Sequence, residues 1–242
     1  ERNVAVFCSA SNKNPHYLNM ARETGQMLAD NGYGMVFGGS NVSMMGEVAA
    51  GVHDRGGYVT GVTIPLFFGK EVQADQDKID IDNIRIVSDI YERMHTMIDE
   101  SDALVVLPGG IGTAQEMLAV MHMRDQDPEL AAKPVVLYSE GGFWHGLQQM
   151  MEEYGYKEGV HFNVVDNQKD LNKVLDDGIP PANNAKPAGD TPPTAKRLAS
   201  GPDIAPLRPR NPSANGRQPK DPKADRRTSA RPVEAPRQRR AP

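Results

Sequence analysis

Cysteine is nearly absent from this sequence. Cys8 stands alone among 242 residues, which rules out an intrachain disulfide and a cysteine-based zinc site. A lone cysteine inside an apolar run reads first as a small core residue. Long hydrophobic runs are also missing: no stretch of 18 apolar residues occurs, so no segment reads as a membrane-spanning helix. No secretory signal pattern opens the chain, which begins at Glu1 rather than methionine. A reducing, cytoplasmic setting is the expectation.

Proline and positive charge are scarce in one part of the chain and concentrated in the other. Of 19 prolines, 14 fall from Pro180 onward, with 14 of the 27 Lys and Arg but only 5 of the 32 Asp and Glu. Those 14 basic and 5 acidic residues leave the tail at +9, which puts the remainder at −14 for a total of −5. The tail has almost no large apolar residues and no aromatic ring. It cannot bury enough surface to offset the entropy of ordering, so disorder is expected there. The chain divides near Gly178, into a domain over 1–178 and a Pro/Arg-rich tail over 179–242.

The first part carries short, continuous apolar runs separated by helical periodicity. Val4–Cys8, Gly34–Phe37, Tyr58–Ile64, Ile84–Val87, Ala103–Leu107, Pro134–Tyr138 and Asn163–Val165 read as strands. Pro15–Asn31, Met44–Arg55, Asp89–Glu100, Thr113–Arg124, Phe143–Tyr154 and Gln168–Leu175 read as helices, several closed by glycine. Residues 66–83 read as a polar, irregular excursion. Apolar strands alternating with helices predict an α/β fold, a doubly wound, Rossmann-like parallel sheet with helices on both faces. Ligands of such sheets bind beyond the carboxyl ends of the strands. Here those ends are Ser9–Asn14, Gly38–Ser43 and Pro108–Thr113.

Two of these ends are glycine-rich. In Leu107-Pro108-Gly109-Gly110-Ile111-Gly112-Thr113-Ala114-Gln115-Glu116 a strand breaks at proline and a helix begins near Thr113. Its free N–H groups and positive dipole end would face an anion, with the Thr113 hydroxyl as a further donor and Glu116 on the first turn. Read alone, the loop also fits a simple strand–helix turn with a capping threonine. The loop Gly38-Gly39-Ser40-Asn41-Val42-Ser43-Met44-Met45-Gly46 lies at the same end of the sheet and could share the ligand. Neither matches the dinucleotide fingerprint, and neither has the lysine of a P-loop, which disfavours a redox dehydrogenase or an ATPase. Arg93, on the helix before the central strand, suits an oxyanion with its planar fork, or else pairs with Asp89 on its own helix. His95 and His122 have no convincing metal spacing with carboxylates, so no metal is expected.

The run P-G-G-x-G-T-x-x-E at Pro108–Glu116, with G-G-S-x-x-x-M-M-G at Gly38–Gly46 and Arg93 at its offset, resembles the Lonely Guy (LOG) family, long mislabelled as possible lysine decarboxylases. The resemblance spans about Val4 to Leu175 and includes Val6-Phe7-Cys8-Ser9-Ala10-Ser11. It implies a cofactor-free, Rossmann-like homodimer that cleaves nucleoside 5′-monophosphates, cytokinin riboside monophosphates among them, to free base and ribose 5-phosphate. By the same resemblance Arg93 and Glu116 form the catalytic pair, and Gly109, Gly110, Gly112 and Thr113 form the phosphate loop. Gly39, Ser40 and Gly46 belong to the substrate-binding set. His122 falls where the family often has a threonine near the ligand. Glu71 matches, in looser register, a family glutamate that contacts substrate. Three departures stand out: Met94 replaces the lysine after the arginine, Ser43 replaces the first glycine of G-L-M-G, and the first loop reads Ser9-Ala10-Ser11 rather than G-S-S.

For the mechanism the expectation is an oxocarbenium-like ribose. The loop at 109–113 anchors the phosphate. Glu116 holds the ribose hydroxyls or orients water. Arg93 holds the phosphate or keeps Glu116 ionised. Two rival classes remain open: a non-catalytic nucleotide or cofactor carrier of the same architecture, and a nucleic-acid binder using Arg226-Arg227, Arg237 and Arg239-Arg240. The second is disfavoured, because the tail offers no ring for base stacking and the domain is acidic.

Overall fold

The computed structural model describes residues 2–66 and 81–181. Glu71, most of the expected excursion and the tail from residue 182 lie outside the described residues. Seven strands form one sheet, all paired in parallel: β1 (Arg2–Phe7), β2 (Tyr33–Phe37), β3 (Val59–Thr63), β4 (Asn83–Ile86), β5 (Ala103–Val106), β6 (Val135–Tyr138) and β7 (Asn163–Val165). Their order across the sheet is β4-β3-β2-β1-β5-β6-β7. The order reverses direction between β1 and β5, where neighbouring crossovers diverge and a crevice opens at the carboxyl ends. The Rossmann-like expectation is met.

The helices are α1 (Pro15–Asp30), α2 (Ser43–His53), α3 (Ile90–Asp99), α4 (Ile111–Arg124), α5 (Pro128–Ala132), α6 (His145–Glu153) and α7 (Gln168–Gly178). Alternate strand residues feed opposite faces of the sheet. Val4, Val6, Met35, Phe37 and Val105 join one core with residues of α1, α2 and α7. Ala5, Phe7, Val36, Leu104 and Val106 join the other with residues of α3, α4 and α6. Both faces are covered, which is why the central strands read as unbroken apolar runs. β4 is the exception, an edge strand whose Ile84 and Ile86 are exposed.

The short helix α5 has no counterpart in the periodicity. Its five residues are too few to show a repeat, and it is set by the Asp127 cap and Pro128 at its first turn. The last helix runs to Gly178, and Ile179 is buried in the core just beyond it. Among the described residues no helix is long and apolar enough to cross a membrane.

α1 and α2 approach each other closely through two glycines. A Cβ on Gly25 would strike the backbone of Val48 and Val52, and one on Gly51 would strike the carbonyl of Arg22. No side chain relieves the first contact, because backbone faces backbone. Gly51→Val should therefore overpack this contact at a cost of about 1–3 kcal/mol or more, lowering the melting temperature by several degrees (about 2–4 °C per kcal/mol for a domain of this size). A melting curve unchanged from the parent would show that the two helices are free to separate.

Candidate active site

At the crevice beside β1 and β5 lies a cavity of about 420 Å³. Its floor is the loop after β1, with Cys8, Ser9, Ala10 and Ser11; its walls are Met45 of α2, the α3 residues Ile90, Arg93 and Met94, and the first turns of α4 from Gly110 to Glu116. Ser9 shapes the floor, since its hydroxyl accepts from the backbone N–H groups of Ser11 and Asn12. Cys8 is buried, and burial among apolar neighbours pushes its thiol far above the usual range. It belongs to the floor of the site rather than acting as a nucleophile.

α4 begins at Ile111 with Gly110 as its cap residue, and no side chain caps its first N–H groups. The three loop glycines divide by role. A Cβ on Gly109 would collide with the Thr113 side chain, so this glycine lets the loop fold over Thr113. Cβ atoms on Gly110 and Gly112 would meet no protein atom within 4 Å. Their missing side chains leave room in the cavity itself.

Arg93 is only 6% exposed. Its Nε donates to the Val62 carbonyl at 2.8 Å and its Nη2 to the Gly38 carbonyl at 3.0 Å. Both acceptors sit at the carboxyl ends of β3 and β2. Nη1 lies 3.6 Å from Glu116 Oε1. Asp89 is not its partner; that carboxylate caps α3, accepting from Tyr91 and Glu92 N–H. The guanidinium thus ties two strand ends together and lies beside Glu116 at the cavity wall. Gly38 makes this possible, because any Cβ there would occupy the place of Arg93 Nη2. In the sequence Gly38 is indistinguishable from Gly39, whose φ of +73° serves the turn itself.

The Glu116 side chain is 16% exposed. Burial pushes its carboxyl up to about 7, and the opposing charge of Arg93 only partly restrains the rise. Of the two roles expected for Arg93, holding the phosphate or keeping Glu116 ionised, the second is met only in part, since the carboxyl stays raised beside the guanidinium. The ion pair is too long to outweigh desolvation.

The other expected residues lie around the cavity rather than in its lining. The Ser40 hydroxyl is buried and has no hydrogen-bond partner among the described residues. Gly46 is a packing glycine: a Cβ would run into the Asn41 carbonyl. His122 is exposed, two turns along α4 from the last lining residue, with Nε2 3.4 Å from Gln126. Ser43 explains one departure from the family pattern. Its φ of +57° lies in the left-handed region that favours glycine, at a cost of about 1–2 kcal/mol for another residue. The Ser43 hydroxyl donates to the Asn12 carbonyl at 2.7 Å and offsets part of that strain. Among the described residues no cluster of His, Cys, Asp or Glu could hold a metal ion, and no lysine lines the cavity.

Sheet order, switch point and glycine-bordered cavity define a Rossmann-like α/β protein with a small-molecule site at the carboxyl edge of its sheet. The chain belongs to the family described as "Possible lysine decarboxylase", whose profile matches residues 45–176. The cytokinin riboside 5′-monophosphate phosphoribohydrolase of Mycobacterium tuberculosis is 34% identical over 176 residues, 69% of this chain and 89% of that protein. A probable cytokinin riboside 5′-monophosphate phosphoribohydrolase of Oryza sativa subsp. japonica is 36% identical over 153 residues, 63% of this chain and 65% of its own length. Among solved structures, the molybdenum cofactor binding protein of Rippkaea orientalis superposes with a TM-score of 0.57 at 19% identity, covering 73% of this chain and 96% of that one. The molybdenum cofactor carrier protein of Chlamydomonas reinhardtii gives 0.55 at 19% identity, covering 74% and 98%. These two likenesses show the shared fold.

The raised Glu116 carboxyl has a consequence for stability. The native state holds this proton more tightly than the unfolded chain, so the protonated carboxyl favours folding fully below about pH 4.5, and that contribution is lost as pH rises through about 7. Glu116→Gln should then be stabilising relative to the parent above pH 7, on the order of 3 kcal/mol at most, with the gain vanishing near pH 4. Denaturation midpoints of both proteins at pH 4, 6 and 8 measure it. A gap that stays constant across that range would mean the carboxyl is not desolvated.

Proposed function

We propose that this chain hydrolyses the N-glycosidic bond of a nucleoside 5′-monophosphate, adding water to give the free base and ribose 5-phosphate. The observation that carries this reading is the juxtaposition of a desolvated carboxylate, Glu116, with an uncapped helix start bordered by Gly110 and Gly112 in one cavity. A phosphate on the α4 N-terminus is held by backbone N–H groups and the helix dipole. Space left by the two glycines lets it come close. The ribose then lies over Glu116, whose negative charge opposes the positive charge developing on the sugar. Arg93 keeps that carboxylate in place. The names of the relatives support the same substrate class. In this reading Gly109, Thr113, Gly39 and Ser40 shape the phosphate end, and the enzyme works in the cytoplasm, in keeping with its single buried cysteine.

We also read the chain as a homodimer. Ile111 is 89% exposed and shares one face of α4 with exposed Leu118, while exposed Tyr91 stands on α3. A second copy covering this apolar surface would close the mouth of the cavity. Light scattering should give twice the chain mass, and Leu118→Asp should give a monomer. A monomeric parent protein removes this part of the reading.

Incubation with AMP, GMP, IMP, CMP, UMP and isopentenyladenosine monophosphate, with free base followed by chromatography, tests the hydrolase directly. Release of base from at least one is expected. Glu116→Gln and Arg93→Ala should each lower turnover at least 100-fold, roughly what is at stake at a general acid–base group. With Glu116 acting as the anion, the rate should rise with pH and level off above about 7. A rate that falls with pH would reassign Glu116 as an acid. No release from any nucleotide, while nucleotides still raise the melting temperature, would favour a carrier instead.

A further inference from the structure

At the cavity floor the chain turns back through one hydroxyl. Ser9 Oγ accepts from the backbone N–H of Ser11 at 3.1 Å and from that of Asn12 at 3.0 Å. A serine oxygen offers two lone pairs and one proton. The loop itself takes both lone pairs, and the proton donates to no atom among the described residues. Ser9 is 7% exposed and lines the cavity.

The loop is braced from α2 as well. The Ser43 hydroxyl donates to the Asn12 carbonyl at 2.7 Å, so Asn12 is gripped at both its N–H and its C=O. Ser9 is thereby held as a donor only. It cannot offer an acceptor to a ligand without giving up one of its bonds to the loop.

The place of Ser9 in the sheet decides which ligand group it meets. β1 and β5 are neighbours, with Phe7 opposite Val106, and the Leu107 N–H donates to the Phe7 carbonyl. The loop that begins at Ser9 therefore leaves the sheet beside the loop that leads through Pro108 and Gly109 to the start of α4. A phosphate seated on that start has few charged partners. Among the described residues Arg93 is the one arginine or lysine that lines the cavity, and its Nε and Nη2 already serve two carbonyls. Neutral donors must then carry much of the anion. The N–H groups of α4 supply them on one side, and a hydroxyl with an unused proton stands on the other. An ionised phosphate oxygen only accepts, which is the complement of what Ser9 has left to give.

We propose that Ser9 is a phosphate-binding residue, its hydroxyl donating to a phosphate oxygen of the ligand seated on the start of α4. The proposal rests on the phosphate placement given above and not on the bond that is cleaved.

Calorimetric titration of the full chain with ribose 5-phosphate, and separately with inorganic phosphate, tests it without turnover. Both should bind the parent, and Ser9→Ala should weaken both by the same factor, about tenfold or more, as for loss of one hydrogen bond to a charged group. Ser9→Thr keeps the hydroxyl and should restore binding. Ser43→Gly removes the brace on Asn12 but leaves the Ser9 proton in place, and should change binding far less than Ser9→Ala. Where Ser9→Ala fails to fold, Ser9→Asp keeps an acceptor for both N–H groups and replaces the donor with a negative charge, so it should abolish binding. Absence of ribose 5-phosphate binding to the parent overturns the proposal, as does parental affinity in Ser9→Ala or Ser9→Asp. An equal loss in Ser43→Gly overturns it by assigning the effect to loop shape. A loss confined to ribose 5-phosphate overturns it by moving the hydroxyl to the sugar. Base release is scored separately: release from AMP with an unchanged KM in Ser9→Ala sinks this proposal and leaves the hydrolase standing, whereas Ser9-dependent phosphate binding without any base release does the reverse.

Discussion

The site rests on one buried cation. Arg93 is taken almost wholly out of water, a transfer that costs several kcal/mol unless the charge is matched. It is matched by two backbone carbonyls and, at longer range, by Glu116. The carbonyls of Gly38 and Val62 belong to neighbouring strands near the point where their parallel ladder ends, beyond Phe37 and Gly61. The guanidinium takes up acceptors that the ladder leaves there, and so joins the strand ends to α3. A glycine at 38 is a condition of this arrangement, because any side chain would displace the guanidinium. Loss of the cation would release the strand ends and leave a desolvated carboxylate without its counter-charge.

The parallel sheet explains why such a site lies at this edge. Every crossover returns the chain to the opposite end, so each loop at the carboxyl edge leads out of a strand and into the next crossover. Helices that start there bring uncapped N–H groups to the same rim. At α4 no side chain among the described residues caps them. At α1 and α7, by contrast, Asn14 and Asn167 do so. The one start without a side-chain cap among these three borders the cavity that holds Glu116.

Much of this was legible in the residues. Continuous apolar runs such as Ala103–Leu107 announce strands buried on both faces, and glycine-rich ends announce where a ligand binds. The family resemblance names Arg93 and Glu116 together, and the fold brings Arg93 Nη1 to 3.6 Å from Glu116 Oε1. What the residues could not show is how Arg93 uses its other donors. Nothing in the string separates Gly38, which makes room for a guanidinium, from Gly39, which makes a turn, or Gly109, which covers Thr113, from Gly110 and Gly112, which border space. Those roles depend on which atoms approach across the fold. For the same reason Gly46 and His122 read as ligand contacts, although one packs on a carbonyl and the other lies away from the cavity.

The raised Glu116 carboxyl at first looks like a defect in a group meant to act as an anion. Desolvation raises its proton affinity because the charged form has lost water, and Arg93 recovers only part of that loss. The same loss of water strengthens the attraction between this carboxylate and any positive charge that appears beside it, since Coulomb energy scales inversely with the local dielectric. A neutral ribose gains little from that field. An oxocarbenium-like ribose gains a great deal, and its positive charge in turn favours the ionised form of Glu116. Binding energy is then expressed in the transition state rather than in the bound substrate, the condition for a faster chemical step. A tighter contact with Arg93 would lower the proton affinity but would also neutralise the charge that the ribose needs. The distance between guanidinium and carboxylate is thus a compromise: near enough to orient Glu116, and too far to satisfy it.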